Sequence, residues 1–162
     1  DRAGLVELCR MGKESGYPLF EMYAQHTTAV ADIKMAVRAC RMGGLRAFLD
    51  KALAPCEYVN AGRLAEAAAR GMDEICECIR STRYSGAVDA LRESPSAFER
   101  YCDNKLMELI RPQKSNYFGI EPIAAYLLAR ENEIKTVRII LCGKRSGIDD
   151  GVIRERLRDM YV

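Results

Sequence analysis

The 162-residue chain has a single histidine, five prolines and a formal net charge of only +2. It also lacks any long apolar run, since the longest, residues 123–129, falls far short of the roughly 18 residues that a membrane span needs. Each shortage excludes something. With 25 Lys+Arg against 23 Asp+Glu, the excess of positive charge that drives binding to polyanions is missing. A Cys–His nucleophile pair would have to use His26, and no flanking signature supports one. The seven cysteines, at 9, 40, 56, 76, 78, 102 and 142, are odd in number and scattered. A secreted disulfide framework prefers an even count, so the expectation is reduced thiols in a cytoplasm, most of them acting as small apolar side chains. No signal peptide is visible, and the chain opens on Asp1 without an initiator Met, which fits a piece of something longer.

Apolar residues make up 49% of the chain and charged residues 30%, the balance of a folded domain. Stretches rich in Ala, Leu, Glu, Arg and Met favour helix, and no run alternates β-branched residues as a strand would. A helix opens at Pro18, where Leu19, Tyr23, His26, Val30, Ile33, Val37 and Cys40 draw one apolar stripe ending at Gly43-Gly44. Within that seam, a core histidine satisfied by a hydrogen bond is the stronger reading of His26. Further helices are expected over 45–53, 61–70, 72–81 and 95–111, the last capped by Ser94 and broken by Pro112 and Gln113-Lys114-Ser115-Asn116. A long helix starts near Pro122 with Ile123, Leu127, Ile134, Val137 and Leu141 as its expected buried stripe, and Glu131 and Lys135 one turn apart on an exposed face. Residues 143–147 then read as a loop, and Asp149 or Asp150 caps a last helix carrying Ile153, Leu157 and Met160. The fold class expected is all-α, a multi-helical array of eight or nine helices.

Two segments about one hundred residues apart look alike. One runs Gly16-Tyr17-Pro18-Leu19, Asp32-Ile33-Lys34, Val37-Arg38 and Gly43-Gly44-Leu45. The other runs Gly119-Ile120-Glu121-Pro122-Ile123, Glu133-Ile134-Lys135, Val137-Arg138 and Ser146-Gly147-Ile148. They predict pseudo-repeats of about 100 residues within one helical region over 1–162. Residues 1–43 would end one repeat, 44–142 form a full one, and 143–162 carry the C-terminal helix.

Candidate chemistry is thin. Cys76 and Cys78 would point about 200° apart on a helix, so they do not share a metal ion, and no second Cys/His pair accompanies them. Gly143-Lys144-Arg145-Ser146-Gly147 lacks the upstream glycine and the Ser or Thr after lysine that a phosphate loop requires. The 18 arginines are interleaved with acids along the whole chain, as on a solvated surface. The expectation is a non-catalytic protein with no cofactor and no metal, working by its surface.

The stretch Tyr117-Phe118-Gly119-Ile120-Glu121-Pro122, Arg130-Glu131-Asn132-Glu133-Ile134-Lys135, Arg138-Ile139-Ile140, Gly143-Lys144, Val152-Ile153-Arg154-Glu155-Arg156-Leu157 and Tyr161-Val162 resembles the C-terminal end of the C subunit of the prokaryotic V-type (A-type) ATPase or ATP synthase, called the d subunit in eukaryotic complexes. Asp32-Ile33-Lys34, Gly43-Gly44-Leu45 and Thr82-Arg83-Tyr84 resemble the same family more loosely. Family members are about twice this length, which implies a C-terminal fragment. The family often has asparagine where this chain has Met35 and Thr136, so local packing there should differ.

The resemblance implies three related helical units around a central funnel and a coupling role without catalysis. Its partners would be the D and F subunits of the central stalk and the proteolipid rotor ring, on the cytoplasmic side of the membrane. Membrane contact would come through the ring only, with no nucleic acid and no cofactor. Torque would pass through the protein between ATP synthesis or hydrolysis and ion transport, protons among the ions considered. Exposed charges at Arg130, Glu131, Lys135, Arg138, Lys144 and Arg145 are expected near a partner surface. The alternatives are a freestanding helical adaptor binding a peptide or nucleic acid, tested by a salt titration, and a cysteine-based redox or metal module.

Overall fold

The computed structural model describes residues 1–43 and 46–161, and its secondary structure is helical, with no strand among those residues. Gly44, Leu45 and Val162, which figure in the turn, helix start and family signature read above, lie outside the described residues. Two compact units divide the chain, Asp1–Asp89 and Ala90–Val162.

In the first unit, α1 (Arg2–Glu14) is capped by the Asp1 carboxylate, which accepts from Ala3 N at 3.0 Å. The reversal into α2 (Pro18–Arg41) uses Gly16 at φ 70°, and Pro18 sits in the first turn, where a missing N–H costs nothing. Gly12 lets α1 approach α2 closely, because a Cβ there would stand 2.9 Å from Ala24 Cβ and from Phe20 O. Three shorter helices follow: α3 (Arg46–Ala52), α4 (Ala61–Arg70) and α5 (Met72–Arg80). Asn60 caps α4 by accepting from Arg63 N at 2.9 Å. The core joins Leu19 and Ile33 of α2 to Leu49, Leu64, Ile75 and Ile79, all fully buried.

Buried polar groups on α2 tie down the α3–α4 connection. Both carboxylate oxygens of Asp32 accept from Ala54 N at 3.2 Å, and Gln25 Oε1 accepts from Glu57 N at 2.8 Å. The bond to Ala54 satisfies a loop N–H that would otherwise be buried unpaired, and the bond to Glu57 pins the exposed part of the same connection.

The unit boundary falls inside α6 (Ala87–Glu93). The second unit continues with α7 (Pro95–Ile110), whose Ser94 cap accepts from Ala97 N at 3.0 Å. Pro112 and the polar residues after it form a short 3-10 turn, Arg111–Ser115. Then come α8 (Glu121–Arg145) and α9 (Asp150–Glu155), the latter capped by Asp149, which accepts from Gly151 N at 2.8 Å. The segment after α9 is clipped across α7 and α8: Arg158 Nε donates to Asp103 at 3.0 Å, Asp159 N to Asn104 Oδ1 at 2.9 Å, and Asn132 Nδ2 to Asp159 O at 2.9 Å.

Two expectations are corrected in α8. The helix does not stop before Gly143 but runs through it to Arg145. Gly143 is buried under Ile153 of α9, so its glycine serves a close approach, and the turn itself falls at Gly147, φ 67°. The expected buried stripe is also inverted. Ile123, Leu127, Ile134, Val137 and Leu141 are 62%, 59%, 50%, 52% and 63% exposed. What α8 buries is a line of smaller residues, Ala125, Ala129, Asn132, Thr136 and Gly143. The same spacing is buried in α2 as Gln25, Ala29, Asp32 and Ala36, one hundred residues earlier.

Candidate functional site

The groups suggestive of chemistry are occupied structurally. His26 is buried in α2, with its Nδ1 2.9 Å from the Tyr84 hydroxyl. Cys76 is fully buried and Cys78 half-buried on α5, while Gly143, Lys144 and Arg145 are the last turn of a helix, not a phosphate-binding loop. Among the described residues, no three His, Cys, Asp or Glu side chains converge as a metal site would require.

The unexplained surface is the outer face of α8, a helix of 25 residues, about 37 Å long. Along it Ile123, Leu127, Arg130, Ile134, Val137 and Leu141 follow at steps of 4, 3, 4, 3 and 4, and therefore share one side of the helix. Tyr126 beside them is 56% exposed, and Tyr117 and Phe118, just before the helix, are exposed as well. A soluble monomer rarely leaves a contiguous apolar patch of more than a few hundred Å² open. Covering any one of these half-exposed side chains would gain about 1 kcal/mol.

All six charged residues singled out from the sequence lie on α8, but they are not equivalent. Arg130 is ion-paired with Glu133, Lys135 with Asp103 at 2.8 Å, and Lys144 with Asp150 at 2.5 Å. The Lys144 ammonium, by hydrogen bond and then by charge, holds the Asp150 carboxyl below its ordinary value. The expected Glu131–Lys135 pair does not form, because Lys135 turns to Asp103. Glu131, Arg138 and Arg145 have no ion pair among the described residues and are exposed. They stand seven residues apart, each four residues after Leu127, Ile134 and Leu141. A file of charges thus runs beside the file of large apolar side chains, the pattern of a docking surface with a polar rim. The apolar file is what sequence reading missed. Its signal was present in the composition of α8, where large apolar residues occupy one side and small ones the opposite side.

A helical body whose conspicuous surface is an uncovered apolar seam with a charged flank has a face suited to packing against further polypeptide. The chain is a member of the ATP synthase (C/AC39) subunit family, whose family model matches residues 1–156. It is 30% identical to the C subunit of the A-type ATP synthase of Haloferax volcanii over 150 residues, 85% of this chain and 42% of that protein. Similarity to the C subunit of the A-type ATP synthase of Haloquadratum walsbyi is 29% over 145 residues, 82% of this chain and 41% of that protein. The C subunit of the V-type sodium ATPase of Enterococcus hirae is 24% identical over 167 residues, 99% of this chain and 50% of that protein. The chain thus spans about half the length of the curated relatives it matches. No solved structure matches it. No helix among the described residues is long and apolar enough to cross a membrane.

Proposed function

We propose that the protein works as the non-catalytic coupling subunit of a rotary V/A-type ATPase or ATP synthase. In this reading it sits on the cytoplasmic side of the membrane, between the D and F subunits of the central stalk and the proteolipid rotor ring. It passes torque between ATP turnover and ion movement and supplies no nucleotide site of its own. The observation that carries the reading is the family match over residues 1–156. Support also comes from helices locked by buried stripes and buried polar clips, and from the file of exposed charges Glu131, Arg138 and Arg145 along α8.

We keep the repeat organisation as part of this proposal, with 1–43 ending one unit, 44–142 forming the next and 143–162 carrying the final helix. The shared burial of α2 and α8 at a spacing of one hundred residues supports it.

Co-purification tests the role. The polypeptide containing this chain should be recovered with central-stalk and proteolipid subunits from solubilised membranes, and its failure to associate with either would overturn the proposal. Arg138→Glu and Arg145→Glu, at positions without ion pairs, should weaken that association by about tenfold, the effect of roughly 1.4 kcal/mol at an interface, while leaving the melting temperature unchanged. Unchanged association would remove these two residues from the interface.

A further inference from the structure

The seam on α8 has the geometry of half a coiled coil. Its six positions repeat at alternating intervals of 4 and 3, the a/d spacing that lets each side chain enter a hole on a facing helix. Five of the six are large and apolar, each at least half exposed. The sixth, Arg130, is neutralised by Glu133 on its own helix and can lay its aliphatic stem along the seam. A surface that wanted water would not be built so, and the small residues on the opposite side already meet the needs of the unit's own core.

The equivalent face of α2 supplies an internal comparison. One hundred residues earlier the seam positions are Tyr23, Thr27, Val30, Lys34, Val37 and Arg41, a more polar set. Yet His26 and Val37 on that side are buried, and Tyr23, Thr27, Val30 and Lys34 are only partly exposed. Helices α1, α3, α4 and α5 all pack on α2. The less apolar face is the better covered one, so α8 lacks a neighbour of the kind that α2 has. The chain spans 50% of the length of the Enterococcus hirae relative while matching 99% of itself, so the family fold contains about as much polypeptide again.

From these observations we infer that the Ile123–Leu141 seam is the seat of an amphipathic helix from the other half of the family fold. That helix closes the fold on α8 and leaves the Glu131, Arg138 and Arg145 file at the rim. The inference rests on family membership and not on the coupling role, and its test needs no other member of the complex.

The test compares this chain alone with a fusion in which the unmatched half of the Enterococcus hirae relative is joined to it in the family's order. The probe is an apolar-surface dye (8-anilinonaphthalene-1-sulfonate), with mass read by light scattering. Alone, the chain should bind the dye, and the fusion should bind about fivefold less per molecule, because the dye reports uncovered apolar surface. Leu127→Glu with Val137→Glu should restore dye binding in the fusion. In the isolated chain the same double change should leave helicity and melting temperature intact, because both side chains already face solvent. Equal dye binding by chain and fusion would overturn the inference, as would collapse of the isolated double variant. A dimer that persists in the fusion and is broken by the two glutamates would also overturn it, assigning the seam to a second copy. Failure of the fusion to cover the seam, with co-purification intact, would sink this inference and spare the coupling role.

Discussion

A Cβ placed on Gly143 would stand 2.8 Å from both Cγ1 and Cδ1 of Ile153. Helices α8 and α9 are therefore as close here as an L side chain forbids, even though Gly143 lies inside a helix, where alanine is intrinsically better by about 1 kcal/mol. Overpacking costs about 1–3 kcal/mol and should win, so Gly143→Ala is expected to destabilise the protein by about 1 kcal/mol net. Ile153→Val, which removes Cδ1, should cost less in the Gly143→Ala background than in the wild type. A double-mutant cycle in urea would read that coupling, and strict additivity would show that the contact is not limiting.

Asp103 receives two cations of very different standing. The Arg158 side chain is 7% exposed and donates from Nε at 3.0 Å, whereas that of Lys135 is 51% exposed. Asp103→Asn strands a nearly buried guanidinium and should cost about 2 kcal/mol. Lys135→Gln should cost about 0.5 kcal/mol or less, as exposed pairs do. Chemical denaturation of the two variants side by side checks the contrast, and equal losses would mean that the clip after α9 contributes nothing through Arg158.

The helix framework was legible because its ends are written in local chemistry. Pro18, Gly71, and Ser94 with Pro95 mark boundaries that α2, α4, α5 and α7 keep. Helix α1 escaped because it buries little besides Gly12, which leaves no apolar stripe to read. Helix α6 is seven residues long, too short for a period. On α8, periodicity correctly grouped Ile123, Leu127, Ile134, Val137 and Leu141 on one side. It had no means of knowing which side the chain would cover, since Ala125, Ala129 and Gly143 let neighbours approach the other side more closely. The apolar seam was therefore assigned to the core, while the charges beside it were read as surface.

Asp32 gives the first unit a pH dependence. Burial raises its carboxyl to about 6, only partly opposed by the Ala54 N–H and the charge of Arg2. An acid whose folded value lies above its unfolded one binds its proton more tightly in the native state. Its contribution is fully present below about pH 4 and is lost as the pH rises through 6. From this group, stability should fall between about pH 4 and pH 6, against the usual trend for carboxylates. Asp32→Asn keeps an oxygen for Ala54 N and removes the buried charge, so it should stabilise the protein at about pH 7 by about 2 kcal/mol and flatten that slope. Unfolding curves from about pH 4 to 8 decide it, and an unaltered profile in the variant would show that Asp32 is not the titrating group.

One turn apart on the buried side of α8, Asn132 Oδ1 and Thr136 Oγ1 have no hydrogen-bond partner among the described residues. The two are not equally dispensable. Asn132 uses its other amide atom, Nδ2, to hold Asp159 O at 2.9 Å, whereas the Thr136 hydroxyl is desolvated with no bond to show for it. A buried polar group left unpaired costs about 1–3 kcal/mol, and valine matches threonine in shape and nearly in helix propensity. Thr136→Val should therefore raise stability by about 0.5–1 kcal/mol, while Asn132→Leu, which orphans Asp159 O, should lower it. Thermal unfolding of both variants separates the cases. A Thr136→Val protein that melts below the wild type would mean that the hydroxyl is bonded in solution, and that α8 needs it for packing.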